Sequence, residues 1–262
     1  MEIYDNEVKN MAGDTKKTRG LKRGAGLLLP ISSLPSPYGI GTLGKEAYKF
    51  VDFLVEAGQS FWQVLPVGPT SYGDSPYQSF SAFAGNPYFI DLDMLCGEGL
   101  LKVDEIRYIK WEERLDRVEY GLQWEYRYGV LKRAFIRSNH KTTEKFQHFL
   151  EENAQWIQDY GLFMACKEHF ENVEWLKWDK DIRFRQPEAL QRYCKTFSQE
   201  IEFYQFLQYK FYEQWSSLKK YANEHGVEII GDMPIYVALD SVDVWVNPGL
   251  FELDEERKPV CV

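Results

Sequence analysis

Two short apolar runs, Gly26-Leu-Leu-Leu-Pro-Ile31 and Phe61-Trp-Gln-Val-Leu-Pro-Val67, decide the fold. Each has the length and composition of a buried β-strand. Between the two runs, apolar residues recur at helical spacing from Lys45 to Ala57, and Gly58 follows as a helix-ending residue. A strand, a helix and a strand at this spacing form a βαβ unit, whose two strands run parallel. The sequence therefore predicts an α/β protein.

A long helical block interrupts the β pattern. From about residue 104 to 224 apolar residues recur every three or four positions, most clearly from Ile201 to Ala222. Aromatic residues make up 16% of the chain, and we expect those of this block to lie mainly in its core. The β pattern returns at Val227-Glu-Ile-Ile-Gly231 and is expected to stay extended as far as Val237. The predicted division is a charged leader at residues 1–22, β-type segments at about 24–95 and 226–262, and a helical insertion at about 100–225.

Composition excludes several classes of function. The chain has 31 basic and 40 acidic residues, a net charge of −9, which disfavours binding to nucleic acid or to an anionic membrane. No run of 18 apolar residues predicts a membrane span, and the polar start lacks the apolar core of a secretory signal. Four cysteines without a CxxC pair and four histidines without ligand spacing predict neither disulfides nor a metal site. We expect a cytoplasmic protein that needs no cofactor.

A glycine motif in the first loop has the same spacing as a nucleotide-binding motif. Gly39-Ile-Gly41-Thr-Leu-Gly44 has the GxGxxG spacing of a dinucleotide-binding turn. In such a site the first glycine directly follows the strand, so that the helix N-terminus faces the phosphates. Here a loop containing two prolines separates Ile31 from Gly39, and the second strand does not end in a ribose-binding acid. The motif is interpreted as a surface loop.

Two polar segments follow predicted strands. Tyr72-Gly-Asp-Ser-Pro-Tyr-Gln78 follows the second strand, and the residues alone leave open whether it is a polar turn or a ligand loop. Gly231-Asp-Met-Pro234 closes the third strand, and a carboxylate there faces a ligand pocket more readily than a core. The nearby Asp240 and Asp243 are interpreted as turn formers or a solvated face. Asp91 and Asp93, which alternate with apolar residues, are expected to face water from a short strand.

Read together, these segments resemble the amylomaltases, or 4-α-glucanotransferases, a family that includes the plant disproportionating enzymes. The resemblance is carried by Gly24-Ala-Gly-Leu-Leu-Leu-Pro-Ile-Ser-Ser-Leu-Pro-Ser-Pro-Tyr-Gly-Ile-Gly41, Trp62-Gln-Val-Leu-Pro-Val-Gly-Pro69, Tyr72 to Gln78, Ser81-Ala-Phe-Ala-Gly-Asn-Pro-Tyr88 and Gly231-Asp-Met-Pro-Ile-Tyr-Val-Ala238, with Asp240-Ser241 and Val244-Trp245 after them. The match is ordered along the chain. It implies a (β/α)8 TIM barrel with a large helical insertion, which transfers α-1,4-glucan segments between maltooligosaccharides with retention of configuration.

The resemblance also implies roles for five residues. Ser75 and Tyr77 would line the donor side of the site near the reacting sugar, and Asp232 would hydrogen-bond the hydroxyls of that sugar. Tyr72 resembles an aromatic residue of a secondary glucan site, and Tyr120, in Val118-Glu-Tyr-Gly121, would be its partner.

One departure from the family pattern concerns catalysis. The catalytic carboxylates of the family lie in segments resembling Arg-x-Asp-His-Phe, Glu-Asp-Leu-Gly and Thr-His-Asp, and none of these occurs in this sequence. The resemblance therefore covers the N-terminal half of such an enzyme. We expect no catalytic residue in this chain, no transferase activity from it alone, and a missing C-terminal half of the barrel as its partner. Two alternatives remain: a non-catalytic glucan-binding protein, and a glycoside hydrolase of the α-amylase type.

Overall fold

The computed structural model describes residues 23–71, 73–112, 114 and 116–260. The predicted leader and Tyr72 lie outside the described residues. The strands are β1 (Gly26–Leu28), β2 (Phe61–Gln63) and β3 (Glu228–Ile230). The helices are α1 (Lys45–Glu56), α2 (Leu92–Gly97), α3 (Asp104–Arg107), α4 (Tyr120–Arg137), α5 (Glu144–Glu152), α6 (Ile157–His169), α7 (Lys180–Arg183), α8 (Pro187–Thr196), α9 (Ser198–Glu224) and α10 (Val242–Val246). None of these helices is long and apolar enough to cross a membrane.

The three strands form one parallel sheet in the order β1-β2-β3. Gly26 of β1 pairs with Phe61 of β2, and Phe61 pairs in turn with Glu228 of β3. The predicted βαβ unit and its parallel direction are confirmed. The helical block connects β2 to β3, so strands far apart in sequence are neighbours in the sheet. Because the three strands are parallel, the segments that follow them all leave the sheet at its carboxyl edge.

Two predictions about the strands are wrong in detail. The run from Gly26 was expected to be buried, but Leu27 and Leu28 are exposed because β1 lies at an edge of the sheet that the described residues form. The run from Val227 was expected to stay extended to Val237, but β3 ends at Ile230 and the chain continues without regular structure. β3 is the other edge of the described sheet, so no neighbouring strand extends its ladder, and Pro234 has no N–H to donate.

Helix α1 covers the sheet as the sequence pattern predicted. Its apolar face is buried at Ala47, Val51 and Leu54, and the ring of Phe50 meets that of Trp62 of β2 in an edge-to-face contact at 5.0 Å. The helix ends before Gly58, whose φ of +66° is the left-handed conformation that glycine adopts without strain.

Helix α9 is the central helix of the helical block and carries the apolar stripe that the sequence predicted. It packs closely on α6 at Gly161, where an added Cβ would lie 3.0 Å from Ile201, tighter than an ordinary contact. Two buried glutamines of α9 fix the loop that follows β2. Gln208 exchanges hydrogen bonds with the backbone of Gly85, at 2.7 and 3.0 Å, and Gln214 accepts from the Asp91 backbone N–H at 2.7 Å. The helix thereby positions the segment that leads away from the carboxyl edge of the sheet.

Neither Asp91 nor Asp93 lies in a strand, contrary to the sequence prediction, although Asp93 is exposed as expected. Asp91 is buried and caps α2, accepting from the Met94 backbone N–H at 2.9 Å and from the Thr42 hydroxyl at 2.6 Å. Asp93 accepts from the Tyr38 hydroxyl at 2.6 Å. The alternation of acidic and apolar residues is therefore the first turn of a capped helix rather than a strand.

Candidate functional site

The loops after β2 and β3 meet at the carboxyl edge of the sheet. There the hydroxyl of Tyr77 donates a hydrogen bond of 2.7 Å to Oδ2 of Asp232. The two residues are 155 positions apart in sequence, and each comes from one of the polar segments that the sequence analysis singled out. The structure therefore brings two of the predicted site residues into direct contact.

The loop that carries Tyr77 is a compact turn. Thr70 and Ser79 form an antiparallel bridge at its base, and the Ser71 backbone N–H donates to the Gln78 carbonyl at 2.9 Å. At the tip, Asp74 has a φ of 57°, a left-handed conformation that asparagine and aspartate tolerate better than most residues. These features hold the tip closed and direct the Tyr77 ring toward the end of β3.

The hydrogen bond to Asp232 further favours the protonated form of Tyr77. This bond, followed by desolvation and the negative charge of Asp232, raises the pKa of the Tyr77 phenol above its ordinary value of 10.0. The phenol therefore remains a hydrogen-bond donor across the physiological pH range. Tyr77 is exposed and Asp232 half-buried, so a ligand can reach both groups.

A cavity of about 290 Å³ adjoins the pair, and we name it the aromatic cavity. Aromatic side chains from the loop after β2, from α9 and from the segment after β3 line this cavity. They are Tyr77, Phe83, Phe211, Tyr212, Trp215 and Tyr236. Its carboxylates are those of Asp232 and Asp243. Apolar and aromatic walls with a few polar groups are typical of sites for small organic ligands. The apolar faces and hydroxyls of a sugar ring match such a lining chemically.

Asp243 is a site residue that sequence reasoning missed. It was interpreted as a turn former, but it lines the aromatic cavity and accepts from the Ala82 backbone N–H at 2.9 Å. Burial raises the pKa of its carboxyl above the ordinary value of 3.8. Its position two residues after Ser241, which caps α10 by accepting from the Val244 N–H at 3.3 Å, marks the start of a helix and gives no sign of the cavity.

Asp240 was also interpreted as a turn or solvated residue, and this is wrong. Its Oδ2 accepts from the Nζ of Lys167 at 2.7 Å, and its Oδ1 accepts from the Trp175 backbone N–H at 3.1 Å. Both partners belong to the helical block, 73 and 65 positions away. A contact of this sequence separation leaves no local pattern in the sequence.

Two predicted site residues lie outside the aromatic cavity. Ser75 does not line the aromatic cavity; its Oγ accepts from the Tyr77 backbone N–H at 3.3 Å and so supports the tip of the loop. Tyr120, half-buried at the start of α4, lines a separate cavity of about 110 Å³ on the other side of Pro76. Burial raises the pKa of its phenol. Because Tyr72 lies outside the described residues, its pairing with Tyr120 stays a prediction.

No metal centre accompanies the site within the described part of the chain. Among its histidines, cysteines, aspartates and glutamates, no three lie close enough together to hold a metal ion. Parallel strands whose carboxyl-end loops line a ligand cavity define an α/β protein with its site at that edge of the sheet.

Comparison with known proteins identifies the family. The family model described as 4-alpha-glucanotransferase, glycoside hydrolase family 77, matches residues 29–258. The chain belongs to this family, and the resemblance seen in the sequence is confirmed.

Individual relatives show how much of the family's length is present. A 4-alpha-glucanotransferase of Clostridium butyricum is 50% identical over 226 residues, 86% of this chain and 46% of that protein. One of Thermus thermophilus is 46% identical over 246 residues, 92% of this chain and 48% of that protein. A solved amylomaltase from Streptococcus agalactiae in complex with acarbose is 48% identical, with a TM-score of 0.88 over 92% of this chain and 49% of that chain. The chain spans about half the length of the relatives it matches.

Proposed function

We propose that this chain supplies half of the α-glucan site of a 4-α-glucanotransferase. The observation that carries the proposal is the Tyr77–Asp232 hydrogen bond beside the aromatic cavity, in a chain of this family. The complete protein would move α-1,4-glucan segments between maltooligosaccharides with retention of configuration. We also propose that β1, β2 and β3 are three strands of a (β/α)8 barrel, which has eight and places its site at their carboxyl ends.

In this proposal Asp232 and Tyr77 hold one sugar ring. An ionised carboxylate has two acceptor oxygens, so Asp232 can accept from a sugar hydroxyl while it accepts from Tyr77. Charge-assisted hydrogen bonds of this kind are about twice as strong as neutral ones. The ring walls of the cavity would lie against the apolar faces of the sugars and exclude water. Excluding water favours a sugar hydroxyl over water as the acceptor, which is the difference between transfer and hydrolysis.

The bond-making carboxylates would come from polypeptide beyond the matched motifs of this chain. Retaining chemistry uses a nucleophilic carboxylate and a second carboxyl group as acid and base, about 5 Å apart across the scissile bond. The segments that carry them in the family are absent from this sequence. Residues 23–260 would therefore bind and orient the glucan without cleaving it.

Binding is the direct test of the site. Isothermal titration of the 262-residue chain with maltoheptaose and with acarbose, the ligand of the Streptococcus agalactiae structure, is expected to show saturable binding. Tyr77→Phe and Asp232→Asn should each weaken it about tenfold, the effect of losing one charge-assisted contact. Tyr108→Phe, which alters a highly exposed tyrosine next to α3, is the matched control. Equal affinity in all four proteins would contradict the proposed placement of the site.

Activity measurements distinguish the transferase from its alternatives. Incubated alone with maltotriose, the 262-residue chain should release no glucose. Joined after Val260 to the second half of the Clostridium butyricum relative, it should release glucose together with longer maltooligosaccharides. Glucose without longer products would indicate a hydrolase, and an inactive but correctly folded chimera that still binds maltoheptaose would favour a non-catalytic binding protein.

A further inference from the structure

Lys167 is a buried cation outside the proposed site. It lies on α6 with a side chain that is 2% exposed. Its Nζ donates to the carbonyls of Asn172 and Val173, both at 2.9 Å, and to Oδ2 of Asp240 at 2.7 Å. An ammonium group has three protons, so these three acceptors satisfy it completely. The surroundings of Lys167 therefore provide one hydrogen-bond acceptor for each proton of its charged group.

Asp240 ends the segment that begins with Asp232. Lys167 donates a hydrogen bond to one carboxylate oxygen of Asp240, and the Trp175 backbone N–H donates to the other at 3.1 Å. The indole N–H of Trp175 also donates to the carbonyl of Leu239 at 2.7 Å. Three hydrogen bonds thus attach the end of this segment to the helical block.

Side chains, rather than backbone pairing, fix the segment between β3 and Asp240. Residues 231–239 form no backbone–backbone hydrogen bond with any other described residue. Met233, Ile235 and Tyr236 are among its most exposed side chains, so burial does little to immobilise it. Its two anchors are the Tyr77–Asp232 hydrogen bond near its start and the contacts of Lys167 and Trp175 at its end.

We propose that Lys167 and Asp240 are positioning residues of the glucan site, which hold the segment from Asp232 to Asp240 so that the Asp232 carboxylate meets Tyr77 and the sugar together. This inference rests on the proposed function. An ion pair that requires a buried lysine is a poor choice for stability alone, because apolar residues of similar volume often stabilise a core equally well or better. A charged pair, unlike an apolar contact, is satisfied in only one arrangement, and this property suits a positioning role.

The test changes Asp240 rather than Lys167, because replacing the lysine would also deprive two carbonyls of their donor. The side chain of Asp240 is 32% exposed, and Asp240→Asn keeps its shape while removing its charge. Asp240→Ala, which removes both acceptors, is the second variant. Asp159→Asn is the matched control: it belongs to the same helix as Lys167, is 30% exposed and pairs with Arg185 at the same 2.7 Å, without contacting the segment. Near-ultraviolet circular dichroism checks that each variant is folded.

The measured quantity is the Kd for maltoheptaose, in the wild-type background and with Tyr77→Phe. We expect either Asp240 substitution to weaken binding about tenfold in the wild-type background. It should have little effect when Tyr77 is already replaced, because the Tyr77 and Asp240 substitutions remove the same constraint. Asp159→Asn should change nothing. A loss of the same size in both backgrounds would show a general structural effect and overturn the inference, as would an unchanged Kd for both Asp240 variants.

Two results separate this inference from the proposed function. If the wild-type chain binds maltoheptaose and Tyr77→Phe weakens binding while the Asp240 variants do not, the proposed function stands and the positioning role is wrong. If the wild-type chain binds neither maltoheptaose nor acarbose, the proposed function fails, and the positioning role fails with it.

Discussion

The hydroxyl of Tyr77 and the Oδ2 atom of Asp232 are joined by a hydrogen bond of 2.7 Å across 155 positions of sequence. Tyr77 lies in the loop after β2 and Asp232 directly after β3. Because β2 and β3 are parallel neighbours, both loops leave the sheet at the same edge. Sheet topology therefore creates this pair, and the helical block that connects the strands contributes one wall of the cavity beside it, through α9.

The first expectation is that Tyr77 and Asp232 act as one unit in binding. The phenol orients the carboxylate, and the carboxylate orients the phenol O–H and raises the pKa of the phenol. The double variant Tyr77→Phe with Asp232→Asn should therefore bind maltoheptaose about as weakly as either single variant, as expected for residues of one hydrogen-bond network. The measurement is a double-mutant cycle of Kd values. Strictly additive losses would show that the two groups contact the ligand independently.

Self-association at the sheet edges is the second expectation. The outer edge of β1 pairs with no other described strand and carries Leu28, which is 55% exposed, and such edges pair with other chains. We expect the average mass of the isolated chain to rise with concentration in light scattering. Leu28→Lys should reduce this association by several-fold, because a lysine on an edge strand opposes pairing.

The matched control for that expectation is Ile136→Lys. Ile136 is 71% exposed but lies on α4, away from any strand. If Ile136→Lys reduces association as much as Leu28→Lys does, general surface hydrophobicity rather than the strand edge is responsible.

Local periodicity was enough to predict the framework of this molecule. The parallel βαβ unit, helix α1 and the apolar stripe of α9 all follow from residues close together in sequence. The meeting of Tyr77 and Asp232 could also be expected, since it requires only that both follow parallel strands. The resemblance to the family, rather than the residues alone, supplied the assignment to a glucan site.

Contacts between distant segments were beyond the reach of the sequence patterns. Asp240 was misread because its partner Lys167 lies 73 positions away, and a buried lysine looks like a surface lysine in a sequence. Asp91 was misread for a different reason: helix capping and strand alternation both place an acid before an apolar residue. Aspartate is a preferred residue at helix N-caps, and giving weight to this preference would have favoured the helix over the strand.

Close packing at Gly85 provides a third expectation. Gly85 is buried beside the cavity, and an added Cβ would lie 2.0 Å from the ring of Phe211. Gly85→Ala should lower the free energy of unfolding by about 1–3 kcal/mol, the usual cost of overpacking a core. Chemical denaturation measures this directly. Gly129→Ala is the matched control, because Gly129 is exposed within α4 with no atom near an added Cβ, and it should raise stability by about 0.5–1 kcal/mol.

A pH dependence of stability is expected from His140. This buried residue contacts Glu202 at 2.9 Å, yet burial outweighs that carboxylate and lowers the pKa of His140 below its ordinary value of 6.5. The unfolded chain therefore binds the proton more readily, and the free energy of unfolding should fall as the pH drops below 6.5. Denaturant titrations from about pH 8 to pH 5.5 measure this slope. His140→Gln should lower stability at every pH but flatten the slope, whereas His148→Gln, which changes an exposed histidine of α5, should preserve it. An unchanged slope in His140→Gln would assign the pH dependence to other groups.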